Sequence, residues 1–368
     1  MKSPQIELWK YIGLQADRAR CLEAVQATYE GYHVKEFGHQ GHCSFTLILS
    51  PRRSATVGVI KDKSDALSET NNQLIVQIRA AQHSLDLDTA AAARRAHPSL
   101  APVVRAAKVC LPGYLKAYEM NTLEGVPFSR LQACLPSTRA ELRDKQKTLI
   151  INLANIIAQS WPVRESRRRR DSVLRPEPLA TEEQTFLSQC RGKVGSRIVQ
   201  KLEELSEKLP DQWLRERARA TLDKLRKILD YPVVLNHGDL IPSNILVNEE
   251  TWQITGLVDW AEAEWLPFGT CLYGLEHLLG RLQRPSQDSQ PPNFVYYANA
   301  PQLREAFWTS LAGLIPELRG SEEGVRIMRD AGVFLWHGYA WDDGAIDRVV
   351  DEVNDSEELA KLRAFLSV

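Results

Sequence analysis

The sequence lacks any long uninterrupted apolar run, and no stretch approaches the roughly 18 residues expected of a membrane-spanning helix. Its beginning, MKSPQIELWKY, also lacks the apolar core that signal peptides carry. We therefore expect a protein that does not enter a membrane and that resides in the cytoplasm.

Cysteine and histidine are scarce. Six cysteines are scattered over 368 residues with no C-x-x-C pair, and only eight histidines are present. This distribution predicts free thiols in a reducing compartment rather than a disulfide framework or a metal-ligand cluster. The formal net charge of −1 argues against a general affinity for nucleic acid or for an anionic membrane.

The most informative stretch is VVLNHGDLIPSNILVNEETWQITGLVDW, residues 233–260. Three short apolar runs within it predict buried strands: 233–235, 245–247 and 254–258. A polar turn joins the last two runs, which predicts a hairpin. Because the midpoint between Asn244 and Asp259 falls at this turn, the hairpin should return Asp259 to the neighbourhood of Asn244. Asp239 lies one loop away from both.

Two carboxylates and an amide oxygen at one mouth suit phosphoryl transfer with magnesium. Mg²⁺ prefers hard oxygen ligands, and it usually takes one or two from protein. We expect Asn244 and Asp259 to supply those ligands, and Asp239 to orient the attacking hydroxyl or accept its proton. His237 belongs to the same group, where we interpret it as a brace of the loop. Taken singly, each residue is also compatible with a packing, turn or cap role.

The segment H-G-D-L-I-P-S-N has the Asp-to-Asn spacing of the protein-kinase catalytic loop H-R-D-x-x-x-x-N, and V-D-W stands where the magnesium-binding aspartate follows. With the hairpin and the following AEAEWLP, it closely resembles the catalytic core of the aminoglycoside phosphotransferase/choline kinase family. The resemblance implies an α+β, bilobal, protein-kinase-like fold. A small antiparallel-sheet N-lobe is expected at 1–120 and a larger, mostly helical C-lobe at 121–368. The catalytic loop falls at 236–244 and the magnesium hairpin at 245–260.

A helix is predicted over 4–30, followed by strands at Tyr32–Phe37 and Phe45–Leu49 around the loop GHQGHCS. In a kinase-like N-lobe, backbone N–H groups of such a loop cover the nucleotide phosphates, and Gly41 and Ser44 are the candidate residues. The full G-x-G-x-x-G is absent, so a plain glycine-rich hairpin explains the same residues.

Two segments compete for the third strand, whose terminal cation would touch the donor phosphates. In TVGVIK the cation is Lys61, and in LIVQIR it is Arg79. The resemblance favours Arg79, because a helix follows it, although either cation could simply mark a strand end. That helix, predicted at Leu87–Ala96, has no glutamate to pair with the cation. Asp86 or Asp88 would replace it unless they only cap the helix.

Two further strands are predicted at Val109–Leu111 and Leu115–Met120, around Pro112 and Gly113. In the family that the chain resembles, backbone groups after the second strand hold the adenine edge. The resemblance assigns Glu119 and Asn121 to this hinge.

The remainder predicts a helical region, with helices at 140–158, over 200–229 and at 270–282, and two more after a Pro- and Gln-rich loop. The last of these carries FLWHGYAWDD. Trp341, Asp342 and Asp343 in this segment, with Glu262 and Glu264, are candidate walls of an acceptor cleft, because relatives that accept cationic amines use acidic residues there. Trp341 is equally compatible with a core position.

These residues predict a small-molecule kinase that transfers the γ-phosphate of ATP, or of another NTP, to a hydroxyl with the help of Mg²⁺. The missing helix glutamate and the incomplete glycine loop keep open a pseudokinase, a binding module of the same fold. A metal hydrolase built on His237, Asp239 and Asp259 is a third hypothesis, which the lack of a neighbouring histidine disfavours. The motifs do not specify the acceptor, the choice between ATP and GTP, or the oligomeric state.

Overall fold

The computed structural model describes residues 17–38, 40–41, 43–52, 73–133, 140–162, 185–284, 291–320, 322–341 and 347–368. The chain divides into two units, Met1–Leu123 and Glu124–Val368. The first is built on an antiparallel sheet and the second is mostly helical, so the predicted α+β class is confirmed. Among the described residues, no helix is both long enough and apolar enough to span a membrane.

The described part of the N-terminal unit contains a five-stranded antiparallel sheet and two α-helices. In chain order these are α1 (Asp17–Thr28), β1 (Tyr32–Glu36), β2 (Ser44–Pro51), β3 (Leu74–Ala80), α2 (Leu87–Ala96), β4 (Val104–Ala106) and β5 (Leu115–Asn121). The spatial order of the strands is β1-β2-β3-β5-β4. The helix predicted before the sheet is present from Asp17 onward, and its earlier residues lie outside the described ranges.

One face of this sheet is apolar and packs against α1. Alternate residues of a strand point to opposite sides, and the buried residues on this side come from three strands and the helix: Cys21, Val25, Phe45, Leu47, Leu49, Val76, Ile78 and Ala117. Removal of their apolar surface from water stabilises the attachment of α1 to the sheet.

The opposite face of the sheet is polar at one end, and its next row, Ile48–Ile75–Met120, is apolar. Two rows of directly opposed residues cross β2, β3 and β5: Ser44–Arg79–Lys116 and Thr46–Gln77–Tyr118. None of the strand residues on this face is acidic within the described sheet. The chain that follows β3 passes over the same face, because the backbone N–H of Leu85 donates to the Tyr118 hydroxyl at 3.1 Å.

The third strand is Leu74–Ala80, the segment that carries Arg79, while Lys61 lies outside the described residues. The strand predicted at Val109–Leu111 is wrong. β4 pairs with β5 instead, and the last bond of that pairing runs from the N–H of Ala107 to the carbonyl of Ala117. Beyond it, Pro112 has no N–H and Gly113 has a φ of 64°, so the chain turns rather than extending the ladder.

The C-terminal unit contains eight described helices: α3 (Phe128–Ala133), α4 (Ala140–Gln159), α5 (Ile198–Lys208), α6 (Gln212–Arg226), α7 (Tyr273–Leu278), α8 (Ala300–Leu314), α9 (Glu322–His337) and α10 (Ser356–Leu366). Its described strands are β6 (Val126–Pro127), β7 (Val233–Asn236), β8 (Ile245–Val247), β9 (Ile254–Leu257), β10 (Glu264–Pro267), β11 (Gly280–Gln283) and β12 (Asn293–Tyr296). They form three small sheets, β6-β8-β9, β7-β10 and β11-β12, and all pairs are antiparallel.

The helix predicted at 140–158 is confirmed as α4, and the helical region predicted over 200–229 consists of two helices, α5 and α6. Pro210 has no N–H to donate to a continuing helix. Asp211 then starts α6, and its side chain accepts a hydrogen bond from the N–H of Trp213.

The helix predicted at 270–282 is wrong in its second half. It ends at Leu278, and Gly280 begins β11, which pairs with β12. A Cβ at Gly280 would lie 2.5 Å from the ring of Phe294, so the close approach of these two strands requires glycine.

A buried carboxylate links several elements of this unit. Glu276 of α7 is 1% exposed and accepts two hydrogen bonds from Arg304 (3.2 and 2.7 Å) and one from Arg329 (2.9 Å). The hydroxyl of Tyr296 donates to it as well. Burial alone raises the pKa of Glu276, but the charges of Arg329 and Arg304 outweigh burial and hold that pKa below its usual range. Glu276 therefore remains an anion that joins α7 to β12, α8 and α9.

Candidate active site

The motif stretch begins on the antiparallel pair β7 and β10. β7 ends at Asn236, whose amide nitrogen donates to the carbonyl of Leu266 at 3.0 Å. The amide oxygen of Asn236 accepts a hydrogen bond from the N–H of Cys271, also at 3.0 Å. Because Asn236 is buried, these bonds form away from water and fix the point where the chain enters the loop.

The next turn of the loop requires glycine at position 238. Gly238 has a φ of 76°, and a Cβ there would lie 1.7 Å from the carbonyl oxygen of Glu262. No side chain fits at that distance, and the left-handed conformation is costly for other residues. The glycine therefore lets the loop lie directly against the segment that follows Asp259.

Asn244 joins the loop to the hairpin. Its Nδ2 donates to Oδ2 of Asp239 at 2.8 Å and to the carbonyl of Asp239 at 2.9 Å. The carbonyl of Asn244 accepts a hydrogen bond from the N–H of Val258 at 2.9 Å, which closes the hairpin one residue before Asp259. β8 and β9 pair as predicted, so the hairpin is confirmed.

Asp259 has an unusual backbone conformation. Its φ and ψ are 63° and 64°, the left-handed region that non-glycine residues rarely adopt. This conformation redirects the chain from β9 into a short 3₁₀ turn at Trp260–Glu262. Backbone strain of this kind is often found at functional sites, where the surroundings hold it in place.

The negative charges around Asp239 make the site attractive to a cation. Asp239 is half-buried, and the pKa of its carboxyl is raised to about 7. Burial is the largest cause and the charges of Asp259 and Glu262 act in the same direction, whereas the hydrogen bond from Asn244 opposes them. A bound cation would relieve the repulsion between these carboxylates.

The residues at the mouth of the hairpin fit Mg²⁺. Nδ2 of Asn244 is committed to Asp239, which leaves its Oδ1 as the atom for ligation, and Asp259 adds a carboxylate. Hard oxygen donors of this number are what Mg²⁺ takes from protein when phosphates complete its shell.

His237 lies beneath the loop. Its ring is buried and packs on Trp260, with ring centroids 4.5 Å apart. Its Nδ1 accepts a hydrogen bond from the N–H of Asp239 at 3.3 Å, so the side chain supports the backbone of the residue that carries the carboxylate. Among the described residues, no group of three or more His, Cys, Asp or Glu is arranged to hold a metal, so the arrangement that a metal hydrolase needs is not found there.

Glu262 lies at the edge of the site. It is half-buried, and its Oε2 is 3.5 Å from Nζ of Lys193, a residue that the sequence analysis did not select. A cationic acceptor would therefore compete with Lys193 for this carboxylate.

The expectation that Glu264 lines an acceptor cleft is wrong. Its side chain is buried, and its carboxylate accepts hydrogen bonds from the N–H groups of Val194 (3.0 and 3.1 Å) and Gly195 (2.8 Å). Burial raises the pKa of Glu264, although these N–H groups favour its ionised form. The residue fastens the segment before α5 to β10, beside the backbone bond between Arg191 and Trp265.

The aromatic segment after α9 is only partly described. Trp341 is 43% exposed, so it is not a core residue, while Asp342 and Asp343 lie outside the described residues. The assignment of Trp341 and Asp342 to an acceptor site stays a prediction.

In the N-terminal unit, the loop between β1 and β2 is shaped by a side chain. Gln40 donates to the carbonyls of Phe37 (2.7 Å) and Thr46 (2.9 Å) and accepts from the N–H of Thr46 (2.7 Å). Gly41 forms a bridge with Ser44, and Ser44 stands directly opposite Arg79 in the strand register. The structure thus brings Ser44 and Arg79 together on the polar face of the sheet.

Arg79 is buried, and its Nε donates to Oε1 of Gln77 at 2.8 Å. Asp86 was one of two candidates to replace the missing glutamate, but it caps α2 instead. Its carboxylate accepts hydrogen bonds from the N–H groups of Asp88 and Thr89 and from the Thr89 hydroxyl, which lowers its pKa.

The predicted hinge residues have structural partners. The carboxylate of Glu119 accepts hydrogen bonds from the hydroxyl of Tyr29 (2.7 Å) and from Nε of Arg105 (2.7 Å). Oδ1 of Asn121 accepts a hydrogen bond from the N–H of Val103 at 2.7 Å. Both side chains lie on the sheet face opposite Arg79, so the register does not bring them to it. That backbone groups at the end of β5 bind adenine stays a prediction.

Sequence reasoning missed three residues of these two regions: Gln40, Lys193 and Asn236. Asn236 directly precedes the motif, and a polar residue at the end of an apolar strand was the one available signal. Lys193 and Gln40 act on partners that only the folded chain brings near them, so no spacing rule identifies them.

A sequence model of the family described as the phosphotransferase enzyme family matches residues 64–270. No curated protein matches the chain significantly. Solved structures with similar folds include a candidate aminoglycoside phosphotransferase from Ralstonia eutropha JMP134, with a TM-score of 0.50 and 13% identity over 93% of this chain and 95% of that one. This similarity shows a shared fold, and the expected protein-kinase-like fold is confirmed.

Two other solved structures align over most of their length. One is the ethanolamine kinase of Plasmodium vivax, with a TM-score of 0.48, 11% identity and coverage of 100% of this chain and 89% of that one. The other is a thermostable mutant of the aminoglycoside phosphotransferase APH(4)-Ia in complex with ADP and hygromycin B, with a TM-score of 0.49, 13% identity and coverage of 94% and 97%.

Proposed function

Because the chain belongs to the phosphotransferase enzyme family, we propose that it is a small-molecule kinase that transfers the γ-phosphate of ATP, or of another NTP, to a hydroxyl of a small acceptor. The hydrogen bond between Nδ2 of Asn244 and Oδ2 of Asp239 at 2.8 Å carries the proposal. It holds a carboxylate that can orient a nucleophile beside an amide that can ligate a metal.

The step itself is a displacement at phosphorus. The acceptor hydroxyl oxygen bonds to the γ-phosphorus, and the bond from that phosphorus to the β–γ bridging oxygen breaks. Asp239 orients the hydroxyl and takes its proton. Mg²⁺ held by Asn244 and Asp259 would neutralise charge on the donor phosphate oxygens. The protein contributes mainly positioning and charge stabilisation.

Binding of the donor phosphates falls to the N-terminal unit in this proposal. Arg79 is the preferred cation, since it lies one residue before the end of β3 and on the same face of the sheet as Ser44. Lys61 stays the other candidate, and Gly41 a candidate for backbone contact. Arginine presents a planar fork that binds two phosphate oxygens in a fixed geometry, whereas an ammonium acts as a compact point charge.

One observation favours a pseudokinase as the second candidate. α2 has no glutamate, and the carboxylate of Asp86 is used to cap the helix. A kinase-like protein that cannot align the donor phosphates would retain the fold and bind a partner or nucleotide without transfer.

The test is a thermal-shift titration with ATP and GTP, with and without Mg²⁺, on wild type, Asp259→Ala and the control Asp223→Ala. Asp223 is an exposed residue of α6. A ligand that binds only the native state raises the apparent melting temperature by mass action. We expect a magnesium-dependent shift that Asp259→Ala loses and Asp223→Ala keeps.

A shift that does not depend on magnesium, or that survives Asp259→Ala, would contradict the proposed metal site. No shift with either nucleotide would favour the pseudokinase. If the shift is present, hydroxylated small molecules are screened for ATP consumption. If none of them is phosphorylated, nucleotide binding without transfer is the better explanation.

A further inference from the structure

The polar face of the N-terminal sheet carries a second cation next to Arg79. Arg79 on β3 stands directly opposite Lys116 on β5 and opposite Ser44 on β2. Directly opposed residues of antiparallel strands have Cβ atoms about 4.5–5.5 Å apart and share a face of the sheet. The side chains of Arg79 and Lys116 therefore leave the sheet from neighbouring positions on the same face.

Lys116 is exposed, and within the described residues its ammonium forms no ion pair or hydrogen bond. None of the described strand residues on this face could supply a carboxylate. Two like charges directly opposite each other destabilise a sheet unless an anion lies between them. The row thus has the chemistry of a site for a multiply charged anion.

We propose that Lys116 is a second ligand of the donor phosphates and binds them together with Arg79 across the Ser44–Arg79–Lys116 row. The inference rests on the proposed function, since it takes Arg79 to be the phosphate-binding cation. The ligand class is a nucleoside triphosphate. Lys116 acts as a mobile point charge, while Arg79 is buried and held by Gln77.

The test compares ATP with adenosine, which has no phosphate. Dissociation constants of both are measured by calorimetry, with Mg²⁺ present, for wild type, Lys116→Met and the control Lys108→Met. Lys108 is an exposed lysine of the loop between β4 and β5. Its replacement removes the same charge from the same unit but leaves the sheet unchanged.

For Lys116→Met we expect the ATP dissociation constant to rise about five-fold, the effect of one unit-charge contact in well-screened solvent. Adenosine binding should be unchanged, and Lys108→Met should match wild type with both ligands. The melting temperature of ligand-free Lys116→Met should equal or exceed that of wild type, because a like-charge neighbour has been removed.

Unchanged ATP affinity in Lys116→Met would overturn the inference, and so would equal losses for ATP and adenosine, which would indicate a structural defect. Both results presuppose that wild type binds ATP. A wild-type protein that binds neither ligand would overturn the proposed function itself, and with it the inference.

Discussion

The candidate site residues of the two units are held in different ways. In the C-terminal unit the backbone is specialised, because Gly238 allows a contact that no side chain permits and Asp259 adopts a left-handed conformation. In the N-terminal unit Arg79 and Ser44 are ordinary side chains on regular strands, brought together by the strand register, and Gln77 accepts a hydrogen bond from Arg79. In the proposed function, the transfer chemistry is thus tied to one fixed loop, whereas the phosphate contacts are shared among cations on a regular sheet face.

The strongest test of this comparison removes the carboxylate of the fixed loop. Asp239→Asn should lower turnover by about 10²–10⁴-fold, the contribution of a positioned proton acceptor. ATP affinity should stay close to that of wild type. The measurement is ATP consumption with an acceptor found by screening, and Asp223→Asn is the control. Equal consumption by wild type and Asp239→Asn would remove Asp239 from the mechanism.

Alanine substitutions at two glycines distinguish the cost of a positive φ from the cost of a steric clash. Gly238 and Gly113 both have positive φ, 76° and 64°, but a Cβ at Gly113 meets nothing within 4 Å. Gly113→Ala should lower the free energy of unfolding by roughly 1–2 kcal/mol, the cost of a left-handed alanine. Gly238→Ala should cost at least about 2 kcal/mol more, because strain at a closely packed site adds to it. Urea unfolding measures both, and equal losses would show that the contact with Glu262 relaxes freely.

The raised pKa of Asp239, which burial and the neighbouring negative charges cause, makes the stability of the folded protein depend on pH. The pKa of Asp239 lies near 7 in the folded protein, above the value of 3.8 for a free carboxyl. The folded state therefore holds this proton more tightly than the unfolded state, and stability decreases as pH rises from about 4 to about 7. In metal-free protein, Asp239→Asn should raise the melting temperature more at pH 8 than at pH 5. An equal rise at both pH values would contradict this account.

The smallest expected effect is a change of ATP affinity when the side chain that holds Arg79 in the Ser44–Arg79–Lys116 row is altered. Gln77→Leu removes the hydrogen bond that positions Arg79, and it should weaken ATP binding roughly 2- to 10-fold, since a neutral hydrogen bond contributes about 0.5–1.5 kcal/mol. Adenosine binding should not change. The control is Gln73→Leu, because the Gln73 amide donates to the Ser50 hydroxyl instead. If both variants behave alike, Gln77 has no special role toward Arg79.

The same contrast explains what could be predicted from the sequence. The turn between β8 and β9 is short, so the spacing of Asn244 and Asp259 was enough to predict their approach. The polar row Ser44–Arg79–Lys116 joins strands that are distant in sequence, and no local spacing encodes its register. The one sequence signal for this row was the cation near the end of β3, Arg79.

The wrong prediction for Glu264 has the same origin. Its charge is visible in the sequence, whereas its partners, the N–H groups of Val194 and Gly195, carry no sequence signal. Here the tertiary fold decided between a structural and a functional carboxylate.

The buried cluster of Glu276, Arg304 and Arg329 limits how this protein can evolve. Loss of Glu276 would leave Arg304 and Arg329 without their shared carboxylate, and loss of both arginines would leave Glu276 buried without a cation. Breaking a buried pair in this way costs about 3–5 kcal/mol, which few domains tolerate. Simultaneous replacement of all three by apolar residues of similar volume is often neutral or stabilising. The cluster is therefore separated from alternative packings by poorly folded intermediates. Single-step mutational drift retains it even where a better core exists, and a designer who changes all three residues together can reach sequences that such drift does not sample.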